Sequence, residues 1–230
     1  MKILAHIDWL FNTIVIFTGL LVKIILFPFV PRPYASKIAA WFIRSLIFIH
    51  VRKVGRVDPE AQMFIINHQS ELDIGVIESS TKKDLAWVAK KELFEVPFFS
   101  LAVRLSKDIP LERESKSALV ALLKAAMERV DAGRAICIFP EGTRSESGKM
   151  RPFKPGAKLI ADKLELKVQP VVLIETSRYF STKRFTARPG TITAVFLDSF
   201  TADKTDKAWL KNLHDTMQET YDRYAKQESA

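Results

Sequence analysis

A histidine and an aspartate five positions apart, His68 and Asp73, stand directly after the apolar run MFIIN at residues 63–67. On one continuous helix the two side chains cannot share a face, because five residues rotate the helix by about 500°. They meet only if His68 lies in the turn and Asp73 lies in the first helical turn. Asp73 then accepts a hydrogen bond from one ring nitrogen, and the other nitrogen is free to take a proton from a hydroxyl group.

The same segment also supports a purely structural interpretation. SELD at residues 70–73 has the pattern of a capping box, in which Ser70 caps a helix and Asp73 reaches back to it. On this interpretation Asp73 only starts a helix, and His68 is an ordinary loop residue. The pattern alone leaves both interpretations open.

A second polar motif, PEGTRS at residues 140–145, follows the apolar run AICIF. Gly142 allows a tight turn or the close approach of a ligand. Arg144 carries a planar set of donors that suits phosphate, and Glu141 is expected to orient Arg144 or to position the polar part of a substrate. The alternative is a surface turn with a local ion pair.

Further cations stand near these motifs. Pro155 and Gly156 introduce a helix whose N-terminal amides can hold an anion, with Lys154 beside it. Arg113, after DIPLE at residues 108–112, is another candidate, although a lone arginine is more often solvated.

Short apolar runs alternate with longer amphipathic stretches from about residue 60 onward, which predicts a mixed α/β sheet covered by helices. Strands are predicted near residues 63–67, 85–89, 108–112, 135–139, 168–174 and 191–197. Helices are predicted near residues 71–79, 92–104, 115–131, 156–166 and 204–227. Both polar motifs follow predicted strands, where active sites of such folds collect, so we expect them to face one site.

The chain begins with an apolar segment. Residues 9–30 would form a helix of about 33 Å, which matches the hydrocarbon thickness of a bilayer. Pro28 indicates a stop, and a second apolar segment follows at residues 34–51 with Arg44 inside it. Three interpretations remain open: one spanning helix, a helical hairpin that dips into one leaflet with Lys23 at the interface, or a buried helix of a soluble domain. The organisation predicted is an N-terminal membrane-anchoring helical segment, 1–55, followed by an α/β domain, 56–230.

Composition limits the classes of function. The net charge of +9 favours an anionic partner, either nucleic acid or anionic lipid. Aromatic and basic residues do not interleave as in a single-strand platform, so we expect membrane lipid and no nucleic acid. Basic residues after the apolar segment favour the cytoplasmic face of a membrane. The single cysteine excludes a disulfide framework and a cysteine-based zinc site, and no metal is predicted.

In this order and context, NHQSELD and FPEGTRS make the sequence similar to the glycerolipid acyltransferases, in particular the 1-acyl-glycerol-3-phosphate acyltransferase family. His68 and Asp73 match the family's H-x4-D signature, and residues 141–144 match its EGTR signature in full. KKELFEVPFFS at residues 90–100 and VQPVVL at residues 168–173 resemble two further stretches of the family. Arg113 stands where the family places an arginine, although the glycine and aromatic positions before it differ.

The resemblance implies transfer of an acyl group from acyl-CoA or acyl carrier protein to the sn-2 hydroxyl of 1-acyl-glycerol-3-phosphate, which gives phosphatidic acid. His68 would be the general base, and Asp73 would hold its tautomer. The acceptor would be bound by Arg113, Glu141, Gly142, Thr143, Arg144 and Lys154. No cofactor is implied, and attack is expected to be direct because no G-x-S-x-G motif is present.

Other functions fit the same residues less closely. One is an acyltransferase for a different lysophospholipid or lyso-aminolipid. A second is a thioester hydrolase in which His68 activates water. A third is a non-enzymatic basic membrane-binding protein, for which a histidine–aspartate pair at a strand end has no purpose.

Overall fold

The structure, a computed structural model, describes residues 2–112 and 116–229 and shows a mixed sheet covered by helices. The helices are α1 (Lys2–Leu26), α2 (Arg32–Leu46), α3 (Leu72–Ser80), α4 (Phe99–Leu105), α5 (Lys116–Asp131), α6 (Pro155–Lys163), α7 (Thr176–Tyr179) and α8 (Trp209–Ser229). The strands are β1 (Ile49–Val54), β2 (Met63–Ile66), β3 (Leu85–Lys90), β4 (Ile109–Leu111), β5 (Ala135–Ile138), β6 (Lys167–Leu173), β7 (Phe180–Ser181), β8 (Thr186–Ala187), β9 (Gly190–Phe196) and β10 (Phe200–Thr201).

The main sheet has the strand order β1-β9-β6-β2-β5-β3-β4, with β10 paired to β6, and β7 and β8 form a separate hairpin. β2 runs parallel to both of its neighbours: Ile65 lies opposite Ile138 of β5 and Pro170 of β6. β6 pairs antiparallel with β9, so the sheet is mixed. The predicted α/β class is confirmed, and the carboxyl ends of β2, β5 and β6 lie at one edge.

The central strands are apolar without interruption because both faces of the sheet are covered. Every residue of β2 and β5 is buried. Met63 and Ile65 join the cluster formed with α5, α6 and α8, whereas Phe64 and Ile66 join the cluster on the α3 side. The sheet is therefore packed between two apolar clusters, one on each face. This packing holds the strands, and the loops at their carboxyl ends, in position.

The six predicted strands are all present, and two other predictions need correction. The helix predicted at residues 92–104 is divided into a 3-10 turn at Lys91–Phe94 and the short α4. Pro97 lies between the two pieces, and proline restricts the residue before it to non-helical conformations. The second apolar segment ends earlier than expected, since residues 49–54 form β1, an edge strand parallel to β9.

The N-terminal helices pack against each other and against the domain. Gly19 allows this close approach, because an added Cβ would lie 2.1 Å from the Cδ1 atom of Ile43. Val15 is buried in the cluster on the α3 side of the sheet. Within residues 2–112 and 116–229, no helix has the length and apolar character needed to cross a bilayer.

Candidate active site

Three loops converge at the edge of the sheet where β2, β5 and β6 end. The Asn67 side chain joins β2 to β6: its amide donates to the Leu173 carbonyl at 2.9 Å, and its oxygen accepts the Leu173 N–H at 2.7 Å. The backbone N–H of Ser145 donates to the His68 carbonyl at 2.8 Å. The two polar motifs predicted to face one site are therefore in direct contact.

His68 and Asp73 meet as the spacing predicted. His68 lies in the turn after β2 and Asp73 in the first turn of α3, with Nδ1 of the imidazole 2.7 Å from Oδ2 of the carboxylate. Asp73 is fully buried, whereas 19% of the His68 side chain is exposed. Nε2 of His68 makes no hydrogen bond to any residue that the structure describes. It is the ring nitrogen open to a substrate.

Asp73 is held by four donors. Its Oδ2 atom also accepts the backbone N–H groups of Gln69 at 2.7 Å and Ser70 at 2.9 Å, and Oδ1 accepts the Thr176 hydroxyl at 2.5 Å. An oxygen that accepts two N–H groups acts as an acceptor toward the imidazole as well, so Nδ1 carries the proton. In its neutral form, an imidazole with the proton on Nδ1 presents an unprotonated Nε2, as a general base requires.

The capping interpretation and the catalytic one describe the same carboxylate. Asp73 accepts the Ser70 N–H, as a capping box requires, and the Ser70 hydroxyl accepts the Leu72 N–H at 3.1 Å. The same Oδ2 atom contacts His68. The cap therefore orients the catalytic pair instead of competing with it.

The plane of the imidazole is fixed by an aromatic stack. The His68 ring lies 3.9 Å from the Phe139 ring at an angle of 12°, and Phe139 stacks on Trp87 at 5.2 Å. Because Phe139 directly follows β5, the sheet register sets the position of this stack. The stack and the Asp73 contact together leave the ring little freedom to rotate.

Glu141 joins the loops after β2 and β5. It is almost fully buried, and its two oxygens accept the backbone N–H groups of His68 at 2.8 Å and Arg151 at 2.7 Å. Burial raises the pKa of this carboxyl, and the hydrogen bonds from Arg151 and His68 lower it in part. In the part of the chain that the structure describes, the ion-pair partner of Arg144 is Glu71 and not Glu141.

The other predicted binding residues lie around this loop. Gly142 adopts a positive φ of 67°, and its N–H closes a turn onto the Phe139 carbonyl at 3.0 Å. Thr143 and Arg144 are exposed beside it. Lys154 is exposed directly before α6, and its backbone N–H donates to the Pro140 carbonyl at 2.9 Å. Arg113 lies outside the residues that the structure describes.

The comparisons with known proteins agree with this geometry. A family model described as Acyltransferase matches residues 48–174. The chain belongs to the acyltransferase family. A Helicobacter pylori protein named 1-acyl-sn-glycerol-3-phosphate acyltransferase is 39% identical over 221 residues, which cover 94% of this chain and 93% of that protein. The human 1-acyl-sn-glycerol-3-phosphate acyltransferase beta is 29% identical over 186 residues, which cover 78% of this chain and 67% of that protein.

A solved structure extends the comparison to the fold of this acyltransferase. The crystal structure of the 1-acyl-sn-glycerophosphate (LPA) acyltransferase from Thermotoga maritima matches with a TM-score of 0.71 and 24% identity. The match covers 100% of this chain and 96% of that chain. The arrangement of sheet and helices is therefore shared along the whole chain.

Sequence reasoning missed several residues at the site of this acyltransferase. Thr176, which donates to Asp73, follows β6, so the strand-end rule that identified the two motifs would also have indicated it. Phe139 was assigned to the end of an apolar strand, with no signal that its ring would stack on His68. Glu71 lies within the NHQSELD motif, but its contact with Arg144 depends on the neighbouring loop after β5.

Proposed function

We propose that this protein transfers a fatty acyl group from an acyl thioester to the sn-2 hydroxyl of 1-acyl-glycerol-3-phosphate, which forms phosphatidic acid. Nε2 of His68 takes the hydroxyl proton as the oxygen attacks the thioester carbonyl. The carbon–sulfur bond then breaks, and the imidazolium returns the proton to the thiolate. Asp73 stabilises the imidazolium between these steps. The donor is acyl-CoA or acyl carrier protein.

One observation carries this proposal: Nδ1 of His68 is bound to a fully buried carboxylate at 2.7 Å while Nε2 is left open. A surface that only binds membranes has no need of such a pair. The identity to 1-acyl-sn-glycerol-3-phosphate acyltransferases over most of the chain supports the choice of acceptor.

The purified full-length protein, labelled acyl thioesters and a panel of lyso-lipids test the function. We expect acyl transfer to 1-acyl-glycerol-3-phosphate, with free thiol released only when the acceptor is present. Thiol release without acceptor would identify a hydrolase. Faster transfer to another lysophospholipid or to a lyso-aminolipid would replace the proposed acceptor.

The acceptor's phosphate is assigned to Arg144, with Arg113 and Lys154 as further ligands. Arg144 extends from the turn at Gly142, and the Ser145 N–H holds this loop against the His68 carbonyl at 2.8 Å. A guanidinium on this loop binds a phosphate while the glycerol hydroxyl reaches His68. The planar group offers two parallel hydrogen bonds to a phosphate.

Arg144→Ala is expected to raise KM for 1-acyl-glycerol-3-phosphate by about 10- to 100-fold, because a hydrogen bond to a charged group is worth about 1.5–3 kcal/mol. KM for the acyl donor should stay within about twofold, since the donor uses other contacts. Steady-state kinetics with each substrate varied in turn measure both constants. Arg178→Ala is the matched control, because Arg178 is an exposed arginine paired with Glu175. An effect confined to the acyl donor would contradict the assignment.

The N-terminal helices are proposed to hold the site at the surface of a bilayer, on its cytoplasmic side. One face of α1, which we name the apolar face, consists of Leu10, Ile14, Phe17, Leu21 and Ile25, each about half exposed. Exposed apolar surfaces of this extent mark interaction sites, and an amphipathic helix of this kind lies in the membrane interface.

The segment before α4 continues the apolar surface. Phe98 is exposed, and its ring contacts the Phe17 ring edge-on at a centroid distance of 6.0 Å. Lys23, at the end of α1, lies 5.8 Å from the Phe27 ring. The apolar face and Phe98 together support the proposal that the protein docks into one leaflet, where its lipid acceptor is found.

Replacing Ile14, Leu21 and Ile25 together by asparagine is expected to weaken binding to anionic vesicles at least about 100-fold, from about 1 kcal/mol lost per side chain. Co-sedimentation with vesicles measures the partitioning. The control variant carries Val120→Asn and Met127→Asn on α5, where both side chains are also exposed. Unchanged sedimentation of the α1 variant would contradict docking through the apolar face.

A further inference from the structure

The ring of Phe139 covers one face of the His68 imidazole. The centroids of the two rings are 3.9 Å apart and the ring planes differ by 12°, so the imidazole lies over the face of the benzene ring and not at its edge. Only 19% of the His68 side chain is exposed, so most of it is out of contact with solvent. The face of an aromatic ring is electron-rich. It therefore lies against the group that becomes positively charged when His68 takes a proton.

Phe139 is held in this position by its own neighbours. Trp87 is buried and stacks on the Phe139 ring at a centroid distance of 5.2 Å. The indole N–H of Trp87 donates to Oε1 of Glu78 at 3.0 Å, and the side chain of Glu78 is also buried. The Phe139 carbonyl accepts the Gly142 N–H at 3.0 Å. Both the ring and the backbone of Phe139 are therefore fixed before a substrate binds, as an electrostatic contribution to catalysis requires.

We propose that the Phe139 ring stabilises the His68 imidazolium in the transition state, in addition to fixing the plane of the imidazole. The inference rests on the proposed function, because the imidazolium forms only if His68 takes the proton of the acceptor hydroxyl. A cation over an aromatic face within about 6 Å of the centroid is attracted to it, and the attraction is stronger where water is excluded. A neutral imidazole lacks the charge for this attraction. The stabilisation therefore grows as the proton moves to Nε2, and it lowers the barrier without tightening the binding of either substrate.

Phe139 and Asp73 act on the imidazolium from different directions. Asp73 accepts the hydrogen bond of Nδ1 in the plane of the ring, whereas Phe139 lies against its face. Phe139 is a positioning residue, because it acts on the substrates only through His68. If it serves only by its shape, any side chain of that shape supports the full rate. If it also stabilises the charge, the rate depends on how electron-rich its ring is.

The test replaces Phe139 of the full-length protein by phenylalanines that carry one, two or three fluorine atoms on the ring. Fluorine withdraws electrons from the ring face and changes the shape of the side chain little. We expect kcat for acyl transfer to fall with each added fluorine, by about 3- to 30-fold over the series, which corresponds to the loss of a cation–π interaction. KM for both substrates should stay within about twofold, because the imidazolium is absent from the ground state.

The matched control is the same fluorinated series at Phe153. The Phe153 ring also contacts a histidine, His214, but edge-on at 4.9 Å and 82°. This series should keep the wild-type kcat, and both series should keep the wild-type thermal midpoint. Phe139→Leu, which keeps an apolar side chain and removes the aromatic face, should lower kcat at least as far as three fluorines do.

A kcat that does not change with fluorination at Phe139 would show that the ring only packs against the imidazole, and would overturn the inference. An equal fall in the Phe153 series would overturn it as well, because the effect would then not be specific to His68. All rates are measured with the lyso-lipid that the wild type acylates fastest. A different preferred acceptor would therefore contradict the proposed function and leave this test intact, whereas a wild-type rate in His68→Ala would overturn both.

Discussion

His68→Ala is expected to lower kcat for acyl transfer by about 100- to 10,000-fold, because a positioned general base contributes a factor of about this size. Without the imidazole, no other group in the described site is placed to take the proton from the acceptor hydroxyl. The Asp73 carboxylate is fully buried and already holds donors from the His68 loop, so it cannot replace the lost base. Initial rates with saturating acyl-CoA and 1-acyl-glycerol-3-phosphate measure the loss.

The matched control for this variant is His214→Ala. His214 is also paired with an aspartate, Asp215, at 3.0 Å, but it lies on α8, where its other contacts are the Met150 carbonyl and the Phe153 ring. The control should keep the wild-type rate, and both variants should keep the thermal midpoint and vesicle binding of the wild type. Acyl transfer by His68→Ala close to the wild-type rate would exclude His68 as the base.

The contact between His68 and Asp73 was predictable because it is local. Both residues lie within one strand-to-helix connection, and a five-residue spacing permits only one way for them to meet. The apolar run before His68 indicated a buried strand, and this placed the pair at a sheet edge. Composition and periodicity were enough for the mixed α/β class as well, which the structure confirms.

The residues that hold His68 and Asp73 in place could not be predicted, because their positions depend on the order of strands in the sheet. That order differs from the order of the strands in the sequence. β2 lies between β6 and β5, so Thr176 and Phe139 reach His68 and Asp73 from strands far away in sequence. The contact of Glu71 with Arg144 likewise requires that the β2 and β5 loops are neighbours.

The N-terminal segment shows a different limit of sequence reasoning. Apolar character alone does not separate a spanning helix from one that packs on a domain with one face and exposes the other. In α1, Val15 is buried and Ile14 is about half exposed, although both are aliphatic and adjacent.

The strand β1 was not predicted, because residues 49–54 follow the second apolar segment without a break. Their partner strand β9 lies about 140 residues later in the sequence.

Asp73→Asn is expected to lower kcat by about 100- to 10,000-fold while the fold is retained. Asparagine can place its oxygen where Oδ2 accepts the N–H groups of Gln69 and Ser70, and its amide can donate to the Thr176 hydroxyl. The hydrogen bond by which residue 73 reaches back to the Ser70 N–H is therefore kept. The substitution therefore removes mainly the negative charge that stabilises the His68 imidazolium during the reaction.

This variant separates the two interpretations of SELD that the sequence left open. If Asp73 only caps α3, the asparagine variant keeps both its thermal midpoint and its kcat, because the cap is preserved. If Asp73 also acts through His68, the midpoint stays near the wild-type value and kcat falls. Thr176→Val is the control, since it removes one donor to Asp73 and leaves the charge, so its loss of rate should be well below that of Asp73→Asn. Because the same oxygen of Asp73 contacts both the helix N-terminus and the imidazole, only a change of charge at constant shape can distinguish the two roles.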